Sequence, residues 1–235
     1  MKTMEKVGFI GAYDKSDLIL YVARMLTQIN KKVLVIDATR TQKMRYTVPV
    51  INSTASYVTE FEEIDVAVGF REDAEIKEYL GVPPTSVLDY DYVLVDIDSP
   101  AGMARFQITN ECKNFFVTSF DLYSLKRGLE IIGGFPEPMN LMKVLFSRHA
   151  YKEEDDYLNF LSLGYKVNWN PERIYFPYDQ GDRSVMIENQ MASKIKLKKM
   201  TKQFKASLIY LTGNIATESN DRELDRALRR LERGV

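Results

Sequence analysis

The sequence predicts an α/β fold: a mainly parallel, twisted sheet with helices on both faces. Three observations carry this. The stretch Lys6 to Asp37 reads as strand, loop, helix, strand. The run Tyr90 to Asp98 holds a continuous apolar stretch, Tyr92 to Val95, that ends in carboxylates, as a buried parallel strand does. Beyond these, apolar runs alternate with helical patterns along most of the chain. At 235 residues, 45% hydrophobic and 28% charged, the chain suits one large domain with a substantial core. We place that domain at 1–216, followed by a polar linker and a charged helix over 217–235.

The first unit sets the pattern. Val7, Phe9 and Ile10 form a strand, and Gly11-Ala12-Tyr13-Asp14 a loop. Lys15-Ser16 opens a helix with apolar residues at Leu18, Tyr21, Val22, Met25, Leu26 and Ile29, and Val33 to Ile36 is a second strand ending on Asp37. Tyr46 to Ile51, holding Pro49, reads as a loop or edge strand. Residues 55–60 and Ile64 to Phe70 read as strands, Ala74 to Leu80 as a short helix stopped by Gly81 and Pro83-Pro84. Phe115 to Thr118 is a buried strand, followed by a helix from Leu125 to Ile132. Met142 to Phe146 is a strand, 152–163 a helix, Tyr165 to Trp169 a short strand and Ile174 to Asp179 a last strand and turn. One long helix is expected from Val185 to Ile215 with only Gly213 inside it, then a charged helix from Asp221 to Gly234.

Composition excludes several classes. A net charge of −1 makes any basic surface local. The single cysteine, Cys112, excludes an internal disulfide and a multi-cysteine metal site. The single histidine, His149, excludes a multi-histidine metal site, and we assign it no role. No apolar run approaches the roughly 20 residues of a membrane span, and the first strand begins too early for a signal peptide. The expected location is cytoplasmic.

A lysine and a hydroxyl at a helix N-terminus make a natural phosphate site, because unpaired N–H groups and the helix dipole both favour an anion. The full phosphate-loop pattern is G-x-x-x-x-G-K-[ST]. Here Lys15-Ser16 is intact, but Phe9 and Asp14 stand at the two glycines. Asp14 sets a negative charge where backbone should approach phosphate, while Gly11 and Ala12 keep the loop slim. The alternative is an ordinary βα turn in which Asp14 caps the helix and Lys15 is solvated.

In the order of these signals the chain resembles the ParA/MinD family of P-loop ATPases. Lys15-Ser16 matches the Walker A lysine and hydroxyl, and Val33-Leu-Val-Ile-Asp37 the strand whose aspartate helps place water and Mg²⁺. Tyr90 to Asp96 is similar to the Walker B strand, and Val117 to Ser124 to the segment after the next strand. Phe176-Pro-Tyr-Asp179 is similar to the late turn beside the adenine. The resemblance implies ATP and Mg²⁺ as cofactors and a homodimer with a protein partner. It places Asp37 as the catalytic residue, with Gly11, Ala12, Asp14, Lys15, Ser16, Pro177 and Asp179 around the nucleotide and Ser16, Asp37 and Asp96 around the metal. Ile10 replaces the family's signature lysine, Thr39 its second aspartate and Ser147 its base-reading asparagine. These losses, with Asp14, imply weak or absent hydrolysis, since phosphoryl transfer relies on positioned positive charge. Degraded loops of this kind resemble the TadZ/CpaE group, which positions pilus or secretion machinery. The competing readings are an active partition ATPase and a nucleotide-free interaction module.

Two charged segments complete the reading. Lys194, Lys196, Lys198, Lys199, Lys202 and Lys205 form a basic run without an acid, which is either a DNA-binding surface or a solvated helix face. Leu224, Ala227, Leu228 and Leu231 form a thin stripe on the last helix. Acids flank it and it lacks aromatics, so it suits packing rather than membrane insertion.

Overall fold

The computed structural model describes residues 4–49, 55–148 and 152–233. Its strands are β1 Glu5–Ile10, β2 Val33–Asp37, β3 Tyr57–Phe61, β4 Ile64–Val68, β5 Tyr92–Ile97, β6 Lys113–Ser119, β7 Met139–Ser147 and β8 Val167–Pro177. Its α-helices are α1 Ser16–Thr27, α2 Asp73–Tyr79, α3 Pro100–Arg105, α4 Leu122–Gly133, α5 Lys152–Leu161, α6 Gln180–Ala192, α7 Lys202–Ile215 and α8 Asp221–Arg233. The strands form one sheet in the order β3-β4-β2-β5-β1-β6-β7-β8, parallel except for the β3–β4 hairpin at one edge. The expected α/β sheet architecture is therefore the observed one.

Period-2 alternation explains why the strands read as unbroken apolar runs. Val33 and Val35 of β2, Leu94 of β5 and Phe115 and Val117 of β6 face one core with α1, α7 and α8. Leu34, Ile36, Val93, Val95 and Phe116 face the other, with α3, α4 and α5. Strands covered on both faces have no polar side to show. Chain order reverses around β1, which lies between β5 and β6. The carboxyl ends of β1 and β5 thus border the crevice where α/β sheets bind ligands.

The β3–β4 hairpin turns on Glu62 and Glu63, both in the left-handed region at φ 51° and 63°. Two-residue hairpins favour Asn-Gly there. The buried Arg24 guanidinium, which pairs with both glutamates, holds this turn to α1.

Several boundaries differ from the sequence expectation. Residues 185–215 are two helices, because Ser193 takes a left-handed conformation (φ 48°). The chain then alternates exposed lysines with buried Ile195 and Leu197 before Thr201 caps α7. The two late strands are one, β8, which crosses Pro171 through a register shift against β7. The helix expected from Leu125 begins at Leu122, where the Asp121 carboxylate accepts from the Ser124 N–H. Lys43–Tyr46 is a short 3-10 turn in place of the start of a loop or edge strand. Ile51, His149 and Gly234 lie outside the described residues.

Candidate functional site

The loop after β1 is shaped by Gly11. Its φ is +147°, and a Cβ there would sit 2.2 Å from the Val117 carbonyl oxygen, so only glycine fits. Its N–H extends the β1–β5 ladder to the Ile97 carbonyl. Across the loop, Gly128 lets α4 close in: a Cβ would meet the Phe116 ring at 2.8 Å. That role is not legible in the sequence, because it depends on which helix covers the loop.

Asp37 and Asp96 are register partners on adjacent strands, so they share the face that carries α1. Lys15, opening α1, is buried between them. Its ammonium lies 2.6 Å from Asp96 Oδ1 and donates to the Gly11 carbonyl at 2.9 Å. Burial raises the Asp96 carboxyl to about 7 in spite of Lys15, and the neighbouring Asp37 charge adds to the rise. Burial also raises Asp37, against hydrogen bonds that favour its charged form. Those bonds occupy both oxygens: Oδ1 accepts from the Thr39 N–H and hydroxyl, and Oδ2 from the Met44 N–H at 2.9 Å. Asp37 thereby anchors the loop after β2 and does not line the cavity.

Asp14 is where the two readings of the loop divide. Its Oδ1 accepts from the Ser16 N–H at 3.2 Å, the position an anion takes at a helix N-terminus. Its Oδ2 pairs with Lys43 at 3.0 Å. Burial by itself would raise this carboxyl, but Lys43 and the Ser16 bonds outweigh it and hold Asp14 below the usual range. Asp14 therefore caps the helix, as the plain-turn reading required, whereas Lys15 is buried and not solvated.

Around these groups is a cavity of about 350 Å³ lined by the 11–16 loop, Thr39, Arg40, Thr41, Lys43, Asp96, Asp98, Tyr123 and Arg127. A second, of about 200 Å³, is lined by Phe146, Pro177, Tyr178, Asp179, Arg183 and Met186 among others, and Tyr13 borders both. Tyr13 packs on Phe146 with ring centres 4.7 Å apart. Burial pushes its hydroxyl up to about 12, with the Tyr178 charge adding to the rise. Asp179 caps α6 through the Asp182 N–H. So Gly11, Ala12, Asp14, Lys15, Ser16 and Asp96 line the first cavity, Pro177 and Asp179 the second, and Asp37 lies behind the first. Arg40, Lys43 and Arg127 were not legible as site residues, since they reach the loop only through the tertiary fold.

The fit to ATP and Mg²⁺ is uneven. Four cations and the α1 N-terminus suit phosphate, but Asp14 already takes one N–H of that terminus. Two of the expected metal donors are engaged as placed: Asp96 lies against Lys15 and both Asp37 oxygens accept hydrogen bonds, while Asp98 Oδ1 at the cavity is without one. Among the described residues no group of His, Cys, Asp or Glu forms a metal site.

The basic run does not form one helix face. Lys194 to Lys199 lie in the loop before α7, Lys199 pairs with Glu188 and Lys205 with Glu232. Among the described residues no helix is long and apolar enough to cross a membrane.

No protein-family model matches the chain, and no curated protein matches it in sequence. Solved structures do match in shape. The MinC:MinD cell division complex of Aquifex aeolicus gives a TM-score of 0.57 at 13% identity, over 93% of this chain and 97% of that one. A McdA–ATP complex from Cyanothece gives 0.54 at 10%, over 94% and 99%. A plasmid partition protein of Borrelia burgdorferi B31 bound to AMPPNP gives 0.53 at 12%, over 92% and 99%. The chain has the fold of ParA/MinD-type P-loop ATPases.

Proposed function

We propose that the protein is a ParA/MinD-like positioning factor whose own side chains fill its phosphate site. It hydrolyses ATP weakly or not at all and serves as a dimeric scaffold for a cellular machine such as a pilus or secretion apparatus. One observation carries this reading: the Asp14 carboxylate takes the Ser16 N–H and Lys43, while Asp96 and the Gly11 carbonyl hold Lys15. For a nucleotide phosphate to enter, Asp14 must leave the helix N-terminus and Lys15 must leave a buried carboxylate, and both steps subtract from binding. The cytoplasm is the compartment this role requires.

Calorimetric titration with ATP and Mg²⁺, beside an assay of phosphate release, tests it. Binding no tighter than about millimolar and no turnover are expected. Micromolar affinity with steady release would overturn the scaffold reading in favour of a working ATPase. That second reading draws on Arg40, Lys43 and Arg127 around the cavity. It predicts partner-stimulated release and, if the exposed Lys196 and Lys198 meet DNA, salt-sensitive binding.

A further inference from the structure

On the other side of the 38–42 loop from the cavity lies a cleft of about 360 Å³. Four arginines line it: Arg40 and Arg45 from the segment after β2, Arg71 after β4, and Arg105 at the end of α3. Among the described residues, no Asp or Glu lines it. In a chain of net charge −1, four guanidinium groups around one small space make a pronounced local excess of positive charge.

The walls are built. Gln42 fastens them: its amide N–H₂ donates to the Asp37 and Thr39 carbonyls, each at 2.7 Å, and its carbonyl accepts from the Gly69 N–H at 2.7 Å. Gly69 has a φ of +84°, and a Cβ there would sit 2.3 Å from a terminal nitrogen of Arg45. Glycine suits the left-handed turn, and it leaves room for the guanidinium to lie against the backbone. Arg71 pairs with Glu75, but that arginine is 82% exposed, and an exposed pair four residues apart is easily exchanged for a stronger partner.

We propose that this cleft binds a compact ligand bearing several phosphate charges, at a site separate from the Lys15 loop. Arginine, with its planar fork of donors, matches phosphate oxygens in pairs, whereas lysine offers only a point charge. The residues converge on one small volume from three segments. A duplex backbone is instead met by cations strung along a surface, so a small phosphorylated molecule fits better than DNA. Arg40 lines both spaces, so a ligand in the cleft competes for a cation that also borders the loop.

Pyrophosphate is the probe, with inorganic phosphate as the weaker comparison, titrated calorimetrically into the full chain at low ionic strength. Arg105→Ala and Arg71→Ala should each weaken pyrophosphate binding at the cleft about tenfold or more, and Arg127→Ala, which alters only the loop cavity, should leave the cleft's affinity unchanged. Both arginines are exposed, so the variants keep the parent melting temperature; if either does not, Arg105→Lys, which keeps charge and stem, should still bind more weakly than the parent. An isotherm with two sites supports the proposal when Arg105→Ala removes one of them. No heat at millimolar pyrophosphate, or binding that responds to Arg127→Ala and not to Arg105→Ala, overturns it.

Discussion

Lys15 Nζ stands 2.6 Å from Asp96 Oδ1, and each side chain is 2% exposed. The lysine of the phosphate-loop motif is thus one half of a buried ion pair that the fold itself uses. Removing one partner of such a pair leaves an unpaired buried charge, which costs about 3 kcal/mol or more. Asp96 can evade part of this by taking up a proton. Its folded value of about 7 already lies above the ordinary one near 3.8, so its favourable contribution is complete at low pH and is lost as pH rises through 7. Without Lys15 that value moves higher still. Lys15→Ala should therefore be strongly destabilised near pH 8 and only mildly near pH 5.5, as read by urea unfolding. An equal loss at both would separate Asp96 from Lys15.

Asp14→Gly tests the occupied helix N-terminus. The change removes the carboxylate from the Ser16 N–H and releases Lys43. Glycine is a tolerable residue at a helix start, so the stability cost is about 1 kcal/mol or less. ATP affinity should rise about tenfold or more, since a competing charge goes and a cation is freed. An unchanged affinity by titration calorimetry would mean that the loop serves some other purpose.

Asp17 supplies a second pH dependence. It accepts twice from the Gln190 side chain, tying α1 to α6. Burial pushes its carboxyl up to about 6 from an ordinary value near 3.8, the Gln190 bond opposes this, and the Asp14 charge adds to it. The folded chain holds this proton more tightly than the unfolded one, so the contribution is present below the lower value and lost as pH rises through about 6. Asp17→Asn keeps the shape and carries no charge. It should gain about 1–2 kcal/mol near pH 7.5, allowing for partial exposure, and nothing near pH 4. A gain of the same size at both pH values in thermal unfolding would assign the effect to packing.

What the sequence disclosed and concealed follows from the range of the interactions. The buried stretches of β1, β2 and β5 were legible because two covered faces leave almost only apolar side chains along them, and β2 and β5 each carry a carboxylate at or next to the carboxyl end. The break between α6 and α7 was legible in principle: exposed Lys194, Lys196 and Lys198 alternate with buried Ile195 and Leu197, a period of two that no helix keeps. Short α3 had its own local signal in Ser99-Pro100, a cap followed by a proline at the first helical position. Nothing local announced Lys43 as the partner of Asp14, or Met44 and Thr39 as the claimants of Asp37. Those contacts exist only once the segment after β2 folds back across the sheet end, so the motif could be found while its state could not.

The C-terminal helix supplies the last test, because its burial bears on where the domain ends. Leu224 and Ala227 are fully or almost fully buried, and Leu228 and Leu231 nearly so, in the same core as α1 and α7. Gly213 of α7 makes room: a Cβ there would sit 3.3 Å from Leu224. Polar ties hold the segment at several points, with Glu218 meeting Lys31 and the Tyr92 hydroxyl, Glu232 meeting Lys205, and Arg230 donating to the Gln28 carbonyl. Leu224→Ala should cost about 2–4 kcal/mol in urea unfolding, as other fully buried leucines do. A chain cut after Ala216 uncovers the α1 and α7 faces and should aggregate or unfold with reduced cooperativity. If it instead unfolds at the parent midpoint, residues 217–235 are an appendage to a domain complete at 216. With the helix docked, its leucines are withheld from lipid, so the full chain should remain in the supernatant when anionic vesicles are sedimented. Co-sedimentation would require α8 to undock, and would make the helix a switch between its own core and the membrane surface.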